Sequence, residues 1–185
     1  MSETLIPKIP APVPAAVVPA PGIDRYVGKS VEAFCPFRYG KVKDAENHCA
    51  HFVCHALGIQ VGTTCESLLS WPQVKVYVKE GIPKGSKGYT VRVNELYNSL
   101  KDKGDWDGRK ADPCLIFATR PSNISRDRLK MGSEAKKHVG YYAGGEVWHY
   151  GNTEDEVLRQ TLAAFQDRFR QAYGATVLFL HGSIP

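Results

Sequence analysis

Apolar and polar positions follow more than one period along this chain, and the changes of period mark its elements. NHCAHFVCHALG, residues 47–58, predicts a helix with Asn47 as N-cap and Gly58 as its stop. PQVKVYVKEG, residues 72–81, alternates Val and Tyr with Lys and predicts a half-buried strand or a short extended arm. TVRVNELYNSLKDKG, residues 90–104, has Leu96 and Leu100 four apart and predicts a helix ended by Gly104.

The texture then changes. DPCLIFATR, residues 112–120, is a short apolar run that predicts a buried strand. KHVGYYAGGEVWHYGNT, residues 137–153, predicts two strands joined by a hairpin turn at Gly144 and Gly145. EDEVLRQTLAAFQDRFRQAYG, residues 154–174, predicts a helix with an acidic first turn, an apolar stripe of Leu158, Leu162, Phe165 and Phe169, and a stop at Gly174. ATVLFLHG predicts a last strand. The pattern is α+β rather than alternating βαβ, with no internal repeat.

Composition narrows the function classes. Residues 1–22 hold six of the twelve prolines and predict an extended tail, either a plain linker or a docking arm for a carrier protein. Residues 23–185 are then the folded domain, and 185 residues in all suit one core. A net charge of +5 lacks the dense basic stripe of a nucleic-acid binder. No run approaches the roughly 20 apolar residues of a membrane span. The N-terminus lacks the pattern of a signal peptide, so the chain is expected to be made in the cytoplasm, wherever it acts. Five cysteines, an odd number without short disulfide spacings, argue against a disulfide scaffold.

The stretch from residue 47 to 58 carries three histidines and two cysteines and allows three readings. His51 and His55, four apart, share a helix face as zinc-binding pairs do. Phe52 stands where a zincin needs Glu, however, and Cys49 and Cys54 lie on different arcs of the helix, so no metal is expected. A core stripe is the second reading, and it suits Cys54 and Cys65. The third is a nucleophile: Cys49 sits at the helix start, where unsatisfied N–H groups stabilise a thiolate and an oxyanion. Its base would come from the hairpin, whose strands bring His138 and His149 together, one to take the thiol proton and the other to orient it.

These pieces resemble the NlpC-type peptidoglycan cysteine peptidases, compact papain-like enzymes of bacteria and phage. HCAHFV (48–53), DPCLIFA (112–118) and HVGYYAGGEVWH (138–149) stand where that family has D-C-S-G-F-V, G-D-L-V-F-F and H-V-G-I-Y-x-G-N-G-x-x-x-H. The resemblance implies a papain-like α+β fold with an N-terminal catalytic helix packed on a small antiparallel sheet. It implies Cys49 as nucleophile, His138 as base and His149 as the orienting residue, with Tyr39 as an upstream supporting tyrosine. It also implies a peptidoglycan stem peptide as substrate, and no metal or organic cofactor. The Ser and Gly that usually follow the nucleophile are replaced by Ala50 and His51. The second His is one residue closer to the first than usual, so Asn152 competes with His149 for the orienting role.

The N-x-C-A-H-F form, with the proline-rich leader, is similar to antibacterial cell-wall-degrading effectors of type VI secretion and to some phage-associated hydrolases. This implies delivery by a secretion-apparatus carrier into the periplasm of a target cell, and an immunity protein as partner. A Cys-His pair does not name its acyl donor. A deamidase, a transglutaminase-like enzyme or an acyltransferase acting on protein remains open, as does a non-catalytic wall-binding module. His48 and His51 read as solvent-facing or cleft-lining, His55 as a hydrogen-bonded structural residue and His181 as a surface one. The basic loop Arg120 to Lys137 reads as solvated or as a cleft wall for acidic stem peptides. Trp71, Trp106 and Trp148 read as core or groove residues, with Trp148 pointing away from His149.

Overall fold

Helix α1 spans Cys49–Leu57, and Gly58 ends it in the left-handed region (φ 72), its N–H returning to the Cys54 carbonyl. The structure, a computed structural model, describes residues 22–37, 48–70 and 82–185. Tyr39, Asn47, Trp71, the 72–81 segment and the tail up to residue 21 lie outside the described residues.

Among those described, six strands form one sheet in the order β1 (Lys103–Asp105), β6 (Leu178–Gly182), β2 (Cys114–Thr119), β3 (Lys137–Ala143), β4 (Glu146–Gly151), β5 (Glu156–Thr161). Every neighbouring pair is antiparallel. The protein is therefore α+β. Strand β2 is buried at every position, as its unbroken apolar run requires. The β3–β4 hairpin turns on Gly144 (φ 57) and Gly145 (φ 89), a pair of positive φ values that glycine adopts without strain.

Two expected helices are shorter than the pattern suggested. The 90–104 segment is helical only over Val93–Ser99, which is α2. Thr90 and Val91 instead bond the Ile59 and Thr63 carbonyls, and Gly104 enters β1 opposite His181. The 154–174 segment opens as β5, and its helix, α3, covers only Leu162–Tyr173. Thr161 caps α3 by accepting the Ala164 N–H at 3.2 Å. The expected acidic first turn is used differently: Glu154 pairs with Arg168, and Asp155 accepts the Tyr150 hydroxyl.

The alternation of side chains along the strands builds two cores. Leu115, Phe117, Val139, Tyr141, Trp148 and Tyr150 face α1 and α2. Cys114, Ile116, Ala118, Tyr142 and Val147 face the Phe165–Phe169 side of α3. Trp148 does point away from His149, and both it and Trp106 are buried core residues, not groove walls. His181 is also buried, because β6 lies inside the sheet between β1 and β2, which corrects the expectation of a surface residue.

Candidate active site

Cys49 is the first residue of α1, behind the non-helical His48, so it stands at the helix start as expected. It is fully buried (0 % exposed). Its sulfur is approached by the N–H groups of Val139, Ala50 and Cys49 itself. Those donors and the nearby Lys137 favour a thiolate, yet burial outweighs them and pushes the thiol up to about 12. The helix start supplies N–H donors of the kind an oxyanion needs, while Cys49 itself rests as a neutral thiol.

His138 and His149 lie across the hairpin, with His138 Nε2 at 3.0 Å from His149 Nδ1. His149 Nε2 in turn lies 2.9 Å from Gln160 Oε1 on β5. This chain has one consistent proton arrangement when both rings are neutral. The Gln160 oxygen only accepts, so His149 Nε2 carries the proton and His149 Nδ1 is a bare acceptor. His138 Nε2 must then donate, which leaves the lone pair of His138 on Nδ1. Burial holds both rings neutral: His138 lies well below the ordinary imidazole value, with His149 and Arg168 adding to the shift. His149 is brought down to about 4, mainly by burial and against the pull of its Gln160 hydrogen bond. Phe169 stacks over His138 at 4.3 Å and Phe165 meets His149 edge-on at 5.1 Å, which is how α3 seals the pair.

The fold sets the Cys49 sulfur against the backbone of Val139, the residue next in sequence to His138. The β3–β4 ladder ends at Gly140 and His149, so His138 and Val139 stand beyond its last pair. Val139 turns towards α1, and its backbone meets the Cys49 sulfur. His138 turns towards α3, and its ring is hydrogen-bonded to His149 and not to Cys49. Beside His138 opens a cleft of about 140 Å³ lined by Tyr150, Asn152, Arg168, Phe169 and Tyr173.

Asn152 Oδ1 accepts the backbone N–H of His48 at 3.1 Å, and the His138 ring is bonded to His149 instead. Asn152 therefore fastens the residue in front of Cys49. His48 and His51 are both buried, so neither is solvent-facing; the His51 position on α1 turns it inward. In the basic loop, Arg120 and Lys136 donate to the Tyr173 and Ala172 carbonyls at the end of α3. Lys137 donates to the Ser133 and Glu134 carbonyls. These contacts hold the cations on backbone carbonyls, and the Lys137 charge also acts on the Cys49 thiol.

A second constellation lies further along α1. Cys35, His51, His55 and Cys65 place one ligand atom each within 4.8 Å of one another. The cysteines weighed from sequence, Cys49 and Cys54, are not the ones that meet the histidine pair. Cys35 and Cys65 come from the segments before and after the helix. Gln160 was equally hidden, since the apolar spacing from Leu158 to Phe169 reads as helix and a glutamine on a helix surface signals nothing.

No protein-family model matches the chain, and comparison with curated proteins and with solved structures likewise gives no match.

Proposed function

We propose that the protein is a cysteine hydrolase of papain-like, NlpC-type architecture that cleaves an amide bond in peptidoglycan stem peptides. One observation carries this reading: the Gln160–His149–His138 chain leaves the lone pair of His138 on Nδ1, in a residue that lines a cleft and precedes Val139, whose N–H meets the Cys49 sulfur.

In this mechanism a substrate carbonyl enters at the start of α1, and the Cys49 proton passes to His138 Nδ1 as sulfur attacks carbon. Coupling the two events avoids forming a free thiolate from a thiol with so high a pKa. The oxyanion is met by backbone N–H groups at the helix start, which are fixed before the reaction begins. His138 then protonates the leaving amine, and water releases the acyl group from Cys49. His149 and Gln160 act through His138 by holding its ring and tautomer. In the resting structure the His138 ring is bonded to His149 on the α3 side of the sheet, so this reading requires the thiol and His138 to come into contact in the substrate complex.

The choice of substrate rests on the HVGYYAGGEVWH and HCAHFV motifs. The same motifs and the proline-rich leader support an antibacterial effector, carried by a secretion apparatus to a target cell's periplasm and countered by an immunity protein. The test is digestion of purified sacculi by wild type and Cys49→Ala, with released fragments identified by mass spectrometry. Defined fragments from the wild type alone support the reading and name the bond. Intact sacculi with a folded wild type shift it to a protein acyl donor or to a non-catalytic wall-binding module.

A further inference from the structure

We propose that Cys35, His51, His55 and Cys65 form a structural zinc site that clamps the helix bearing Cys49. The proposal goes beyond the hydrolase reading and does not depend on it. The four residues come from three separate segments: Cys35 follows the short 3₁₀ turn Val31–Ala33, His51 and His55 are one turn apart on α1, and Cys65 lies in the loop after it. Cys35, His51 and Cys65 are buried and His55 is half-buried. The fold has folded these donors inward from three directions to one point.

The geometry and chemistry suit zinc. Zn–S bonds of about 2.3 Å and Zn–N bonds of about 2.0–2.1 Å give a tetrahedron with edges of roughly 3.3–3.8 Å. Cys65 Sγ and His55 Nε2 are already 3.7 Å apart, and the whole set within 4.8 Å closes onto an ion by shifts below about 1 Å. Two thiolates and two neutral imidazoles are a preferred zinc donor set, and together with Zn²⁺ they carry no net charge, which a buried site requires. Binding balances as Zn²⁺ replacing two thiol protons, which pass to solvent.

The surroundings fit a ligand shell. The Tyr89 N–H reaches Cys65 Sγ at 3.3 Å, the contact a zinc-bound thiolate accepts. His51 Nδ1 lies 3.4 Å from His48 Nδ1, so coordination through the buried His51 Nε2 leaves its other nitrogen oriented by a neighbour. Phe34 and Tyr89 wall the His55 ring at 5.5 and 4.5 Å. The cysteines are not joined as a disulfide. Four protein donors leave no open coordination position, which makes the ion structural and not catalytic. It would tie the segment before α1 and the loop after it to the helix, two residues from the nucleophile.

The experiment uses the full chain purified under reducing conditions without chelator. Elemental analysis is expected to find about one zinc per chain. Protein stripped by chelator and titrated with Co²⁺ should develop the visible d–d and thiolate-to-cobalt charge-transfer bands of a tetrahedral thiolate site. Cys35→Ser and Cys65→Ser should each lose the bound zinc, while Cys114→Ser, on the other face of the sheet, keeps it. The wild-type cobalt spectrum stands even if a variant fails to fold. Wild type that carries no zinc and gives no tetrahedral cobalt spectrum overturns the proposal, as does a Cys35–Cys65 disulfide under the same reducing conditions.

Discussion

Gln160 Oε1 sits 2.9 Å from His149 Nε2, and through this single acceptor a residue on an outer strand decides which nitrogen of His138 is free to take a proton. Replacing Gln160 by Leu removes the acceptor and lets both histidines change tautomer. The expected result is a loss of kcat/KM of about 10²-fold with the fold intact, while Gln160→Glu, which still accepts, retains most of the activity. Steady-state rates of both variants on one soluble muropeptide check this. Equal activity of Gln160→Leu and wild type would remove the glutamine from the relay.

The pH profile follows from the neutral resting pair. A base works in its unprotonated form, and burial holds the His138 ring well below the ordinary 6.5, beside neutral His149 and the Arg168 cation. Lowering that pKa extends the active form downward, so the acid limb of kcat/KM should lie below pH 6.5. With the Cys49 thiol pushed up to about 12, no alkaline gain from thiolate formation is expected near neutrality. A preformed thiolate–imidazolium pair would instead show its limbs on either side of neutral pH.

Thiol labelling reads the same burial. All five cysteines are buried, so the folded protein should offer no fast-reacting thiol to iodoacetamide at pH 7. Peptide mapping in native and denaturing conditions checks it, and rapid native alkylation of Cys49 would contradict the neutral, enclosed thiol.

Gly140 separates the relay from the turn of the hairpin. A Cβ added there would meet Val147 Cγ1 at 2.5 Å, the Trp148 carbonyl at 3.1 Å and His149 Cβ at 3.3 Å. Gly140→Ala should therefore part β3 from β4 beside His138 and His149. The expected cost is about 1–3 kcal/mol of stability by chemical denaturation, with a larger proportional loss of activity.

The hairpin and its two histidines were legible because period-two alternation and a glycine pair are local signals that the β3–β4 ladder preserves. The same alternation foretold Trp148 and His149 on opposite faces. What stayed hidden depends on contacts distant in sequence. EVLRQT fits a helix as well as a strand, and only pairing with β4 decides for β5, which is what delivers Gln160 to His149. Helix position alone suggested an acidified Cys49, but the covering of α1 by the sheet, invisible in the sequence, reverses that. His51 and His55 showed half of a metal set, and the fold completes it with Cys35 and Cys65.

The most direct test of the nucleophile is a rapid acid quench of the enzyme mixed with a purified muropeptide, followed by peptide mapping. An acyl mass increment is expected on the peptide that contains Cys49, absent from Cys49→Ala. Release of the same fragments with no increment on Cys49, or with one on another residue, would contradict it.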